Sequence, residues 1–287
     1  MMHTTLIQPA ELKALLQSGA NVRVFDVSFD LMRPEQGNAT YLETHLAGAL
    51  HADINRVLSA KDPREAINGG RHPLPRRERF ATWLSSQGVD DATQVVVYDR
   101  NGMNYCGRLW WMLKWCGHEA VAVLDGGLQA WVAEGGAVSS GSEPAPSPRH
   151  FSLRAPLARL VQTADVAAHL QDASAQTLID ARATPRFRGE TEPLDPVAGH
   201  IPGALNRPYG HNLTETGKFK SAAVLRQEFE QLLGERTAAS VVHHCGSGVS
   251  AVPNILAMEI AGLGRAGLYA GSWSEWCTTP GLPCAQG

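Results

Sequence analysis

The residues best suited to chemistry lie near the C-terminal end, where a cysteine follows a short apolar run. Residues 241–244 read as a buried strand, Cys245 follows, and residues 246–250 lead to a helix that opens near residues 252–253. A side chain at the carboxyl end of such a strand lies where open α/β sheets bind their ligands. Two glycines let the loop curl, so that backbone amides and the helix N-terminus can stabilise a thiolate or a persulfide. We interpret Cys245 as a nucleophile; the alternative is a buried structural cysteine beside a tight turn.

Two other cysteine chemistries fit this loop poorly. A cysteine phosphatase needs an arginine that closes the loop around phosphate, but Ala251 stands six positions after Cys245 and the loop contains no cation. A disulfide oxidoreductase would have a second cysteine in the fourth place, which Gly248 occupies. The loop therefore disfavours a dianionic substrate and a dithiol mechanism.

Composition limits the remaining classes. The 287 residues carry 25 basic and 28 acidic side chains, a formal charge of −3, with 44% hydrophobic and 18% charged residues. These values indicate a globular protein with no basic surface for nucleic acid or anionic lipid. Five cysteines are too few for a disulfide scaffold, no apolar run would span a bilayer, and the N-terminus does not read as a signal peptide. We expect a cytoplasmic protein with no membrane contact.

The two halves of the chain resemble each other, which predicts a duplicated domain. His45-Leu-Ala-Gly-Ala-Leu in the first half matches His200-Ile-Pro-Gly-Ala-Leu in the second, and four further pairs of segments follow the same order. Residues 141–156, rich in Pro, Ser and Gly, read as a linker. We predict an N-terminal domain over residues 1–140 and a C-terminal domain over residues 157–287.

Within each half, short apolar strands alternate with amphipathic helices. Strand patterns at residues 22–26, 94–98 and 240–244 are separated by helical patterns such as residues 78–86 and 222–233. This alternation predicts an α/β fold in which a mostly parallel sheet carries helices on both faces.

With these elements in view, the chain resembles the two-domain rhodanese family, and its loop resembles that of 3-mercaptopyruvate sulfurtransferases. The resemblance rests on the loop from Cys245 to Ala251, on His200-Ile-Pro-Gly-Ala, and on Ala270-Gly-Ser-Trp-Ser-Glu-Trp. It covers nearly the whole chain. It implies two tandem rhodanese-like domains, of which only the second carries the cysteine, while Asp99 or Arg100 stands at the matching strand end of the first, inactive copy.

The resemblance also implies a mechanism and a set of site residues. Cys245 would take sulfur from a donor as a persulfide, release pyruvate, and pass the sulfur to a thiol or cyanide, without a metal or organic cofactor. Ser247 would join His72, a residue of the first half that supplies part of the site, in moving the substrate proton. Further substrate-binding candidates are the remaining loop residues and two arginines: Gly246, Gly248, Val249, Ser250, Arg186 and Arg188.

Two positions depart from the family pattern. The relay aspartate of the family falls at Asn55, with Asp53 two residues away as a possible substitute. An amide can orient an imidazole but cannot stabilise imidazolium as a carboxylate does. The second carboxylate-binding arginine falls at Leu194, so one guanidinium is missing unless Arg188, Arg71 or Arg207 replaces it.

Loop composition selects the expected donor. Thiosulfate-specific relatives carry cations after the cysteine, whereas Gly246 and Ser247 follow it here, which favours the monocarboxylate 3-mercaptopyruvate. Thiosulfate turnover on the same cysteine, or a persulfide carrier with little turnover, are the alternatives. The expected partners are a small-molecule sulfur donor and a thiol acceptor such as a thioredoxin-like protein.

Overall fold

The structure is a computed structural model that describes residues 2–172 and 174–287. The chain forms two compact units. The first comprises Met1–Lys61, Pro75–Leu157 and Glu215–Lys218, and the second comprises Asp62–Leu74, Ala158–Thr214 and Phe219–Gly287. Residues 62–74 therefore pack with the second unit, although they precede most of the first unit in sequence.

The first unit alternates strands and helices in the order β1 (Leu6–Ile7), α1 (Pro9–Gln17), β2 (Val22–Asp26), α2 (Glu35–Glu43), β3 (His45–Leu46), β4 (Leu50–His51), α3 (Arg77–Ser86), β5 (Gln94–Tyr98), α4 (Cys106–Trp115), β6 (Val121–Leu124), α5 (Gly127–Ala133) and β7 (Val138–Ser139). Five strands form a parallel sheet in the order β1-β6-β5-β2-β4, and β3 pairs with β7 antiparallel. Residues 95–98 of β5 are all fully buried. Because strand side chains alternate between faces, both faces of this sheet are covered.

The second unit repeats this plan in the order β8 (Leu160–Val161), α6 (Thr163–Ala168), β9 (Thr177–Asp180), α7 (Thr184–Arg188), β10 (Leu205–Asn206), α8 (Ala222–Leu233), β11 (Val241–His244), α9 (Val252–Ile260), β12 (Gly267–Tyr269) and α10 (Ser272–Trp276). Two short 3₁₀ turns lie at Tyr209–Asn212 and Ala238–Ser240. The parallel sheet has the order β10-β9-β11-β12-β8.

The two sheets have the same topology, strand for strand. The central strands are β5 in the first unit and β11 in the second, and each is flanked by the equivalent pair of neighbours. This confirms the sequence prediction of two tandem α/β units with mostly parallel sheets. Apolar strand residues and amphipathic helix faces form each core, as with Leu12, Val96 and Trp131 in the first unit and Val166, Val242 and Trp273 in the second.

Some elements were not evident from the sequence. Helices α2 and α7 escaped prediction because neither carries an apolar stripe: α2 buries only Gly37 and Tyr41, and α7 buries none of its residues. The edge strands β4 and β10 have two residues each, too few for a periodic pattern. In the described part of the chain, no helix has the length and apolar character needed to cross a bilayer.

Candidate active site

Cys245 follows β11 directly, and its backbone is fixed by the start of α10. Its amide donates to the Ser272 hydroxyl at 3.1 Å, and its carbonyl accepts from the Trp273 amide at 2.9 Å. The Ser247 amide points back at the Cys245 Sγ at 3.5 Å. The thiol is 2% exposed, so water has little access to it. The strand end, the loop and the helix N-terminus thus hold the sulfur at one defined place.

Two residues in left-handed backbone conformation give the site its shape. Gly248 has φ +73°, and a Cβ there would lie 2.3 Å from the Ala270 carbonyl oxygen, so only glycine fits. Ser272 has φ +55°, although it is not glycine. Its hydroxyl donates to the Tyr269 carbonyl at 2.9 Å and accepts from the Cys245 amide. The strained serine therefore contributes a hydrogen bond that glycine could not supply.

Val249 and Ser250 connect Gly248 to helix α9. Val249 is 3% exposed, and its carbonyl accepts from the Val252 amide at 3.1 Å, which begins α9. The hydrogen bond of Val249 thus ties the end of the loop to the first turn of the helix.

Residues 69–72 form a short segment against α10 that brings a histidine and an arginine to the loop. The Gly69 amide donates to Glu275 Oε1 at 3.0 Å, and the Arg71 amide donates to the Ser274 hydroxyl at 3.0 Å. Gly70 has φ +84°, and a Cβ there would come within 2.7 Å of the Gly271 carbonyl oxygen. The tight backbone contact explains the Gly-Gly pair that precedes Arg71.

His72 reaches the loop through its ring. Its Nδ1 lies 2.8 Å from the Ser247 hydroxyl, and both side chains are buried. The hydroxyl in turn belongs to a residue two positions after Cys245. A ring nitrogen and a hydroxyl at this distance can pass a proton between them.

Beside the loop lies a cluster of charges in which two arginines share one carboxylate. Asp195 Oδ1 accepts from Arg71 Nη1 at 2.8 Å, and its Oδ2 accepts from Arg186 Nη2 at 3.3 Å. Glu192 also accepts from Arg186, at 2.6 Å. A Cβ on Gly246 would lie 2.9 Å from Arg71 Nη2 and 3.6 Å from Arg186 Nη1. Two guanidinium groups therefore face the backbone directly after Cys245.

A second buried ion pair supports the strand end. Arg182 donates to both oxygens of Asp180 with distances down to 2.6 Å, and its guanidinium lies 4.9 Å from the centre of a Trp273 ring. Burial alone would raise the pKa of Asp180, but His244 and Arg182 more than offset it, so the net shift is downward. Asp180 is therefore ionised, and burial lowers the pKa of His244 beside it.

His243 and His244 point to opposite faces of β11, as their adjacent positions predict. His243 Nε2 lies 3.2 Å from the Met258 sulfur on one side, whereas His244 Nδ1 lies 3.9 Å from Asp180 on the other. Both rings are fully buried. Both histidines are therefore packed inside the second unit.

The remaining predicted residues lie elsewhere. Arg188 is 56% exposed at its side chain and pairs with Glu190 at 3.7 Å, so the structure places its charge at the surface. Asp53 and Asn55 belong to the first unit. The Asp53 carboxylate accepts the Asn55 amide at 2.7 Å in a local turn, and Asn55 Oδ1 accepts from Lys61 at 2.8 Å.

The matching strand end of the first unit holds Asp99 in place of a cysteine. Its carboxylate accepts four backbone amides at 2.7–2.9 Å, those of Asn101, Met103, Tyr105 and Cys106. The carboxylate is fully buried. In the first unit a buried carboxyl group thus satisfies the amide donors of the loop.

Sequence reasoning missed three residues that organise the site. Asp195 aligns the two arginines, Ser272 holds the Cys245 amide, and Ser274 holds the Arg71 amide. The two serines lie in the Ala270–Trp276 segment, which the resemblance singled out without assigning it a role. For Asp195 the sequence gives no signal beyond its nearness to Arg186.

Comparison with known proteins agrees with this geometry. The profile of the Rhodanese-like domain matches residues 8–134 and 162–279. A probable 3-mercaptopyruvate sulfurtransferase of Pseudomonas aeruginosa is 42% identical over 288 residues, which cover both chains completely. The putative thiosulfate sulfurtransferase SseB of Mycobacterium tuberculosis is 38% identical, over 98% of this chain and 97% of that protein.

A solved structure shows the same architecture. SseA from Escherichia coli, described as a 3-mercaptopyruvate sulfotransferase, superposes with a TM-score of 0.79 at 29% identity. The superposition covers 95% of this chain and all of SseA. With two profile matches, relatives of full length and a shared fold, the chain belongs to the rhodanese family, as a two-domain sulfurtransferase.

Proposed function

We propose that the protein transfers sulfur from 3-mercaptopyruvate, through a persulfide on Cys245, to a thiol acceptor or to cyanide. The observation that carries this proposal is the 2.8 Å contact between His72 Nδ1 and the Ser247 hydroxyl, two residues from the nucleophile. A donor that brings a thiol proton needs a group to move that proton, and this pair can do so. Thiosulfate brings no such proton.

The first half-reaction forms a sulfur–sulfur bond and breaks a carbon–sulfur bond. The Cys245 thiolate attacks the donor sulfur, and the electron pair of the C–S bond moves onto the carbon as the enolate of pyruvate. The proton of the donor thiol then reaches that carbon, giving pyruvate and a Cys245 persulfide. Ser247 and His72 are the groups on this chain that would carry the proton.

The second half-reaction returns the enzyme to its starting state. An acceptor thiolate attacks the outer sulfur of the persulfide, the S–S bond to Cys245 breaks, and the Cys245 thiolate leaves. A dithiol protein of the thioredoxin type would then release the sulfur as sulfide when its second thiol attacks. The Ser247 amide, which points at the Cys245 Sγ, would stabilise both the thiolate and the persulfide.

Thiosulfate is the second candidate donor, for a specific reason. Arg71 and Arg186 place two positive charges against Gly246, which suits an anion of either kind. The relative from Mycobacterium tuberculosis is named a putative thiosulfate sulfurtransferase. Thiosulfate transfer would use the same Cys245 but would not depend on His72.

Paired steady-state kinetics test the proposal. Each donor is offered with cyanide and with a dithiol, using the wild-type protein, Cys245→Ser and Ser247→Ala. We expect mercaptopyruvate to be the better donor by kcat/KM, no turnover in Cys245→Ser, and a selective loss of mercaptopyruvate turnover in Ser247→Ala. Better turnover with thiosulfate would mean that thiosulfate, and not mercaptopyruvate, is the donor. Loading of one sulfur per chain without turnover would indicate a persulfide carrier.

A further inference from the structure

We propose that Arg71 is a substrate-binding residue: it supplies the second guanidinium for the carboxylate of the sulfur donor, together with Arg186. The proposal rests on the proposed function, because it assigns the group that recognises the donor. The position where the family places its second arginine holds Leu194. The structure offers Arg71 from a different segment of the chain.

The orientation of the two guanidinium groups is the first argument. Asp195 engages Nη1 of Arg71 and Nη2 of Arg186. Nη2 of Arg71 is the atom nearest a Cβ built on Gly246, at 2.9 Å, and Nη1 and Nη2 of Arg186 follow at 3.6 and 3.8 Å. Asp195 therefore holds Nη1 of Arg71 and leaves its Nη2 facing the loop, beside the Arg186 guanidinium.

An unused donor is the second argument. The Nε of Arg71 is buried and has no hydrogen-bond partner among the described residues. A buried guanidinium N–H without an acceptor is costly, and a bound carboxylate would satisfy it. Asp195 holds the other end of the fork at 2.8 Å, so the free edge is fixed in place before the donor arrives.

The distance from the nucleophile is the third argument. Three bonds separate the sulfur of 3-mercaptopyruvate from its carboxyl carbon. With that sulfur at Cys245, three bonds are long enough for the carboxylate to reach Gly246, the next residue along the loop, where the two guanidinium groups lie. A glycine there leaves room, since a side chain would fill the space against Arg71. Arg71 also precedes His72, so one segment would deliver both the anion anchor and the proton carrier.

Competing alkylation of Cys245 tests the assignment independently of turnover. Iodoacetate and iodoacetamide transfer similar groups to the thiolate with loss of iodide, but only iodoacetate carries a carboxylate. The rate of each reagent at Cys245 is followed by mass spectrometry, and the ratio is compared with that of free glutathione. The ratio cancels changes in the reactivity of the thiolate itself.

We expect the wild-type protein to favour iodoacetate, and Arg71→Met to lower that ratio by about 10- to 100-fold, the range for a lost charge-assisted hydrogen bond. The KM for mercaptopyruvate should rise by a similar factor. The control is Arg226→Met, which removes an exposed arginine that pairs with Glu230 on α8. It should leave both values unchanged. An unchanged ratio in Arg71→Met overturns the proposal.

A measurement on the wild-type protein covers the case in which Arg71→Met does not fold. Phenylglyoxal modifies arginines, and pyruvate should slow its reaction at Arg71 and Arg186 but not at Arg226. No protection of Arg71, at pyruvate concentrations that slow alkylation of Cys245 by iodoacetate, overturns the proposal. If the protein does not use mercaptopyruvate but its preference for iodoacetate depends on Arg71, the proposed function is wrong. The assignment of Arg71 to an anion-binding site then still holds.

Discussion

At the scale of single residues, we expect the contact between His72 and Ser247 to matter for sulfur transfer from mercaptopyruvate and not for transfer from thiosulfate, although both donors would react at Cys245. The hydroxyl lies 2.8 Å from the imidazole, while the backbone amide of the same serine points at Sγ. The hydroxyl can thus be removed without removing the amide. This separates proton transfer from stabilisation of the sulfur anion.

Ser247→Ala should reduce kcat with mercaptopyruvate by about 10²-fold, in the range of general acid–base effects. Alkylation of Cys245 by iodoacetamide should keep nearly its wild-type rate, because the amide at position 247 remains. Stopped-flow kinetics and mass spectrometry measure the two quantities. Equal losses in both would mean that the hydroxyl acts on the thiolate and not on the donor proton.

His243 makes stability depend on pH. Burial, with the neighbouring His244 and Arg207, lowers its pKa from 6.5 to about 3. Between those values the unfolded chain binds a proton that the folded chain excludes, so stability is complete above pH 6.5 and falls as the pH drops. From pH 7 to pH 5 the loss from this residue is about 2 kcal/mol.

Urea denaturation at pH 7 and pH 5 checks this expectation. His243→Leu should show a smaller fall in the denaturation midpoint between the two pH values than the wild-type protein. The control is His150→Leu, which removes an exposed histidine and should retain the wild-type fall. The same fall in His243→Leu as in the wild-type protein would contradict the expectation.

At the scale of elements, the turns after β11 and β12 form the site by close backbone contact. Gly127 in the first unit and Ser272 in the second stand at equivalent turns, with φ of +60° and +55°. The residue after each turn position donates to the equivalent strand-end carbonyl: Leu128 to Asp99 and Trp273 to Cys245. In the second unit, Ser272 has a strained backbone conformation, and its hydroxyl accepts a hydrogen bond from the Cys245 amide.

Gly248→Ala should therefore destabilise the protein and slow alkylation of Cys245. The left-handed φ of +73° and the 2.3 Å approach to the Ala270 carbonyl together should cost about 2 kcal/mol or more. Gly203→Ala is a matched control, since Gly203 has φ +79° but nothing within 4 Å of a Cβ. It should cost about 1 kcal/mol from strain alone. Equal melting temperatures for the two variants would mean that the Ala270 carbonyl moves away from the added methyl group at little cost in free energy.

At the scale of the whole molecule, the two units carry different residues at the matching strand end, a cysteine in the second and a buried aspartate in the first. Asp99 and Cys245 follow the central strands of sheets with the same order. Four amides converge on the Asp99 carboxylate, so the first loop is a closed structural motif. The first unit keeps the loop geometry of this strand end, and a buried carboxyl group takes the place of the cysteine.

Asp99→Asn should lower stability by about 2–4 kcal/mol, because the amide NH₂ would face backbone donors in a buried site. The specific activity of the folded protein should stay at its wild-type value, since Cys245 belongs to the other unit. Asp30→Asn is the control: this partly exposed carboxylate also accepts two amides, in a surface turn, and its loss should matter less. Thermal unfolding and steady-state kinetics give the two readouts. A loss of activity without a loss of stability would contradict this division of roles.

The sequence by itself determined the class of the protein and predicted Cys245 as its nucleophile. Strands such as residues 94–98 and helices such as residues 222–233 could be predicted because burial imposes a period of two or of 3.6 on a single stretch of chain. Cys245 could be predicted for the same reason: the strand, the glycines and the helix that define it are neighbours in sequence.

Only the tertiary structure decided which distant residues join that cysteine. Residues 62–74 pack with the second unit, which sets His72 against Ser247 and Arg71 against Gly246. The structure also places the Arg188 side chain at the surface, although this residue lies two positions from Arg186. Such groupings depend on backbone turns at Gly70 and Ser272 and on the shared carboxylate of Asp195. They bring together residues more than a hundred positions apart, and no local periodicity encodes that distance.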